Sequence, residues 1–171
     1  MTDESRAADG GRILGVDLGR RRTGLALSDP GATLATPLET LTGSPPTLLA
    51  PLAERVAHHG VVCVVFGFPR LASGDPGEIA GLARRIGDRL AQRTGVTVVY
   101  WDEALTSWEA ERILAHDSPR RSRCGAGAGG RRAQRRAGEV DRLAAALMLQ
   151  DYLDTHRQNL ARGKPGTGEQ A

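Results

Sequence analysis

The run VVCVVFGF, beginning at Val61, contains no polar side chain. A strand with one face in water would alternate apolar and polar residues. A continuous apolar run fits a central strand covered on both faces. The rest of the chain therefore has to supply neighbouring strands and helices on either side. VTVVYW, from Val96, reads as a second buried strand. Between the two, a helix is expected from about Gly77 to Arg93, with Ile79, Leu82, Ala83, Ile86 and Leu90 at helical spacing. Before Val61, Thr47 to His59 reads as a helix with Leu48, Leu49, Leu52 and Val56 on one side. Gly60 ends it, and His58 and His59 suit its C-terminal dipole.

The N-terminal part reads RILGVDLGRRRTGLALSD from Arg12 to Asp29. Ile13–Leu18 and Thr23–Ser28 form the arms of a hairpin that turns through Gly19 to Arg22. Thr33 to Leu41 is expected as a third strand, which Pro37 marks as an edge strand or an interrupted one. Beyond Trp101, a short helix follows the Thr106-Ser107 cap region with Ala110, Ile113 and Leu114. A last helix runs from about Glu139 to His156. The order β-β-β-α-β-α-β-α-α implies an α/β fold, a mixed sheet with helices on its faces.

A chain of 171 residues suits one domain with a real core. That domain is expected over residues 12–156, with a disordered leader at 1–11 and a disordered tail at 157–171. MTDESRAADGG has no apolar segment of a signal peptide. No apolar run approaches the roughly 18 residues of a membrane span. There are only two cysteines, Cys63 and Cys124, at no metal-ligand spacing. Cys63 reads as a small core residue, and the sparse usage suggests the cytoplasm.

All but one of the 23 basic residues are Arg, Lys164 being the exception. Their distribution says more than the net charge of +3. SPRRSRCGAGAGGRRAQRR, from Ser118 to Arg136, carries seven Arg and no acid. Arg grips phosphate oxygens bidentately, so this block suits a nucleic-acid backbone. A solvated loop is the plainer reading. The segment from Arg120 to Arg136 is too rich in Gly to pack a core, and a mobile lid is expected there.

Alternation along the first strand puts Ile13, Gly15 and Asp17 on one face and Leu14, Val16 and Leu18 on the other. Asp17 thus points where a core residue belongs. A buried carboxylate without a partner is costly or takes up a proton. A cation would compensate it; the alternative is hydrogen bonding from the Gly19 to Thr23 turn. A second acid pair, Asp102-Glu103, stands where VTVVYW ends, and sites assemble at strand ends of α/β sheets. Adjacent residues point to opposite sides, so one of the two at most faces Asp17, and geometry does not choose. A third acid, Asp141, shares a helix face with Ala144, Ala145 and Met148. The small alanines permit close approach to the sheet; the alternative is an ordinary acid of a helix first turn. Three converging carboxylates would make an oxygen-rich site for Mg²⁺ or Mn²⁺. Two such ions can drive phosphodiester hydrolysis.

GVDLG with RTGLALSD, VVFGFPR with SGDPG, DEALTSWEAERIL and VDRLAAALMLQDYL, in this order, resemble the YqgF (RuvX-like) family. Its members are described as pre-16S rRNA nucleases or Holliday-junction resolvase-like proteins. The resemblance spans about Arg12 to Leu153. It implies a ribonuclease H-like fold with a mixed five-stranded sheet. It implies a metal-dependent endonuclease whose catalytic, metal-holding acids match Asp17, Glu103 and Asp141. It also implies Mg²⁺ or Mn²⁺ as cofactor and a cytoplasmic role in ribosome biogenesis. The partners would be precursor rRNA, ribosomal particles or branched DNA. Arg20, Arg22, Arg132, Arg135 and Arg136 are the residues expected to hold nucleic acid. The chain departs from the family pattern at Ala104, where Arg is usual, and at Ser73, where an acid is usual.

Two other readings compete. DLGRRRTG also resembles the phosphate-gripping hairpin of sugar kinases and actin-like ATPases, but those bind nucleotide between two large domains. An Arg-rich RNA-binding module without catalysis is the second, and metal-dependent cleavage separates it from a nuclease.

Overall fold

The computed structural model describes residues 11–68, 78–102 and 129–161. Within these, the description excludes the side chains at 68, 102, 129–135 and 160–161. Strands β1 (Arg12–Leu18), β2 (Arg22–Ser28) and β3 (Ala35–Thr42) come first. A 3₁₀ turn at Pro45–Thr47 leads into α1 (Leu49–His59). Then follow β4 (Val61–Phe68), α2 (Glu78–Thr94), β5 (Thr97–Asp102) and α3 (Gly129–Ala161). The strands form one sheet in the order β3-β2-β1-β4-β5. The β1–β2 and β2–β3 pairs are antiparallel, and β1–β4 and β4–β5 are parallel.

The apolar run VVCVVFGF is β4, beside β1 and β5. Its residues divide by alternation between two cores. Val64 and Phe66 join Leu14, Val16, Leu18, Leu25 and Leu27 under α1 and α2, where Leu52, Val56, Ala83, Ile86 and Leu90 meet them. Cys63 and Val65 join Ile13 and Ala26 under α3, against Ala145, Met148, Leu149 and Leu153. Phe66, Leu52 and Leu149 are wholly buried, and each contributes about 1.5–3 kcal/mol.

β3 lies at the sheet edge, as Pro37 requires, and the ladder to β2 shifts register between Leu25 and Ala26, opposite Pro37. The Arg55 guanidinium donates to both carboxylate oxygens of Glu39, at 2.6 and 3.2 Å, and ties β3 to α1. Gly60 closes α1 in the left-handed conformation, φ 62°, donating its N–H to the Val56 carbonyl.

The last helix departs most from the sequence reading. It begins at Gly129, ten residues before Glu139, and continues to Ala161. The second half of the Arg/Gly block, read as a loop, is helical. Its RRAQRRA segment consists of strong helix formers, and they outweigh the glycines that precede them. Residues 103–128, with the short helix expected after Thr106, lie outside the described residues.

Candidate active site

The parallel strands β1, β4 and β5 end on the same side of the sheet, and Asp17 is the penultimate residue of β1. Ile13 belongs to the core under α3, and Gly15 lies under Leu149 and Ala145 of that helix, so Asp17 shares the α3 face. In the antiparallel ladder Asp17 stands opposite Gly24. A Cβ built on Gly24 would overlap the backbone carbonyl of Asp141. A Cβ on Gly15 would lie 2.9 Å from the Leu149 Cβ. Two glycines on adjacent strands thus let α3 settle directly on the sheet. That approach sets Asp141 beside Asp17.

The electrostatics follow. The Asp17 carboxyl is pushed up from 3.8 to about 6, first by burial and then by the neighbouring Asp141 charge. Among the described residues Asp17 accepts no hydrogen bond. The turn that could have satisfied it closes on itself, with Gly19 N–H donating to the Arg22 carbonyl at 2.9 Å. Asp29, at the other end of the hairpin, shows the opposite case. It accepts the Leu34 and Thr33 N–H groups and the Thr33 hydroxyl, which hold its carboxyl down to about 2. Asp29 is a structural turn acid, whereas Asp17 has no such network.

Asp141 lies well inside α3, so it is not a first-turn acid. Arg22 Nε lies 2.7 Å from its Oδ2. That oxygen is buried and accepts no aligned hydrogen bond. The contact is close but badly directed, a charge contact rather than a hydrogen bond.

Arg20 turns to Glu78 at the start of α2, 3.4 Å away, with both side chains largely exposed. Arg136 is exposed on α3. Arg132 and Arg135 lie on the helical backbone but their side chains are outside the described residues, as is all of Glu103. Glu103 follows Asp102, the last residue of β5, directly in sequence. Among the described residues no three His, Cys, Asp or Glu side chains gather closely enough to hold one metal ion. The two that do come together, Asp17 and Asp141, offer hard carboxylate oxygens, one buried and without a hydrogen bond. That donor set fits Mg²⁺ or Mn²⁺.

Sequence reasoning missed Gly24 and the reach of Arg22. The signal for Gly24 was its place opposite Asp17 in the hairpin register. For Arg22 no local signal exists, because its partner is far along the chain. Trp101 serves as packing. Its ring meets Tyr152 edge-on at 5.3 Å, and its Nε1–H donates to Asp151 at 3.0 Å.

A family profile described as "RuvX: Holliday junction resolvase" matches residues 11–155. A Chloroflexus aurantiacus protein named "Putative pre-16S rRNA nuclease" is 36% identical over 148 residues, 86% of this chain and 89% of that protein. One of the same name from Symbiobacterium thermophilum is 39% identical over 144 residues, 84% and 92% of the two chains. Among solved structures, the Thermus thermophilus RuvC in complex with a Holliday junction substrate superposes with a TM-score of 0.50 at 18% identity, covering 93% of this chain and 98% of that one. That likeness bears on the fold, which is RuvC-like and ribonuclease H-like. With the profile matching nearly the whole chain, the protein belongs to the RuvX family.

Proposed function

We propose that this chain is a divalent-metal-dependent endonuclease that processes the precursor of 16S rRNA. The observation that carries the reading is the meeting of Asp17 and Asp141 at the end of β1, enforced by the close approach of α3 over Gly24. Such a pair has no evident stabilising role, since the Asp141 charge disfavours ionisation of Asp17. It gains a purpose if a cation is held there. The pre-16S rRNA nuclease names of relatives at 36–39% identity support the substrate.

In this reading Asp17, Asp141 and Glu103 hold Mg²⁺ or Mn²⁺. Such ions, when bound, activate a water and offset charge on the leaving oxygen. The chain supplies the positioning. β1 fixes Asp17 on rigid backbone, α3 presents Asp141, and Glu103 would come from the residue after β5. Arg20, Arg22, Arg132, Arg135 and Arg136 would hold the phosphodiester backbone, which positions a nucleic acid without reading bases. Cleavage in the cytoplasm during ribosome maturation follows from the substrate.

The family description supports a second substrate, the four-way DNA junction. Purified protein incubated with precursor 16S rRNA and with a synthetic junction, in Mg²⁺, Mn²⁺ or EDTA, separates the two. Metal-dependent cutting of the RNA is expected. Cutting of the junction alone would transfer the assignment to DNA. No cutting of either, in any metal, would favour a non-catalytic RNA-binding module.

A further inference from the structure

Arg22 is held in place at its backbone and reaches the acid pair with its side chain. Its backbone is fixed by the turn, where the Gly19 N–H bonds the Arg22 carbonyl, and by pairing of Arg22 with Thr42 on β3. Its side chain crosses to α3 and brings Nε within 2.7 Å of Asp141 Oδ2. Other described cations nearby are engaged elsewhere, Arg20 with Glu78 and Arg142 with Glu139. Arg22 is therefore the cation, among the described residues, in contact with the acid pair. Two features make this contact suited to exchange. The oxygen it touches receives no aligned hydrogen bond, so the tether is Coulombic and weakly directional. The Arg22 side chain is also 42% exposed, so it can swing into water without disturbing the core.

We propose that Arg22 is a resident counter-ion that competes with the divalent cation for the Asp141 carboxylate. In the metal-free protein it offsets part of the charge that Asp17 and Asp141 bring together. On metal binding it is released toward solvent, where it can take a substrate phosphate. Arg22 is a positioning residue in this scheme, acting through Asp141. The proposal rests on the metal-dependent reading above, and its test keeps the two apart.

The test is Mn²⁺ affinity without substrate, at fixed pH and ionic strength, from calorimetry with MnCl₂. Wild type, Arg22→Gln, Arg22→Met and Arg22→Lys are compared. Removing the competing charge should tighten Mn²⁺ binding roughly 2- to 5-fold in Arg22→Gln and Arg22→Met, the range of a partly exposed ion pair. Arg22→Lys keeps the charge and should bind like wild type. In EDTA the two neutral variants should melt below wild type, and saturating Mn²⁺ should close that gap. The Met variant keeps the apolar stem, so it decides the matter if Gln disturbs the fold. Equal or weaker Mn²⁺ binding in both neutral variants, with wild type binding normally, overturns the counter-ion role alone. Absence of Mn²⁺ binding to wild type overturns the metal reading and this proposal together.

Discussion

Gly24 of β2 lies directly beneath the backbone carbonyl of Asp141, with no room between them for even one side-chain carbon. Gly24 is also the ladder partner of Asp17. With Gly15 one strand away, the missing Cβ of Gly24 lets α3 sit low on the sheet and brings the two acids together. Gly24→Ala must lift the helix, because the obstacle is backbone and cannot rotate away. Such overpacking costs about 1–3 kcal/mol, and the rigid contact places this site at the upper end. Melting should fall by roughly 6–12 °C for about 3 kcal/mol. Gly81 provides the control. It lies in α2 with nothing within 4 Å of a built Cβ, so Gly81→Ala should gain about 0.5–1 kcal/mol. Calorimetric melting of both variants checks the contrast, and a Gly24→Ala protein as stable as wild type would mean that α3 is not so tightly seated.

Asp17 should cost the metal-free fold stability at neutral pH. Its carboxyl titrates near 6 in the fold against 3.8 when exposed, so the folded state holds the proton more tightly. The favourable contribution is complete below about pH 4 and is lost as pH rises through 6. The span corresponds to about 3 kcal/mol. Asp17→Asn, measured in EDTA by urea unfolding, should exceed wild type in stability by up to that amount at pH 8. The advantage should shrink toward pH 4. A variant less stable than wild type at pH 8 would show that the ionised carboxylate is satisfied by a partner.

Much of this site was legible in the sequence, for reasons that can be named. Strand alternation placed Asp17 on the α3 face because β1 pairs regularly through that residue. Helical spacing placed Asp141 with Ala145 and Met148, and both of those are buried against the sheet. The uninterrupted β4 announced a central strand because both its faces are covered. What escaped was the start of α3, where Gly-rich composition suggested a loop and the Arg/Ala/Gln segment forms a helix instead. The Arg22–Asp141 contact also escaped, since periodicity carries no information about a pair joined only by tertiary packing.

The basic stretch before Asp141 should govern binding more than turnover. Each Arg that neutralises a phosphate releases counter-ions, so affinity for RNA should fall steeply with salt. Replacing Arg132, Arg135 and Arg136 together by Ala should weaken binding and flatten the slope of log affinity against log salt by roughly one for each lost contact. Filter binding across a salt series measures both. Unchanged affinity and slope would move the grip to Arg20, Arg21 and Arg22.

Between the adjacent acids that follow Trp101, Glu103 should matter and Asp102 should not. The resemblance to the family selects Glu103. Glu103→Gln should lose most cleavage and weaken Mn²⁺ binding, while Asp102→Asn should keep both. The reverse ranking in the same two assays would exchange their roles.

The most direct test of the account is single-turnover cleavage of precursor 16S rRNA in saturating Mg²⁺ by Asp17→Asn and Asp141→Asn, each checked for folding by its melting curve. Loss of a metal-holding carboxylate should cost more than the 10- to 100-fold typical of outer-shell partners. The account predicts that both variants fold and that each cuts at least about a hundredfold more slowly than wild type. Cleavage at the wild-type rate by either folded variant would contradict it.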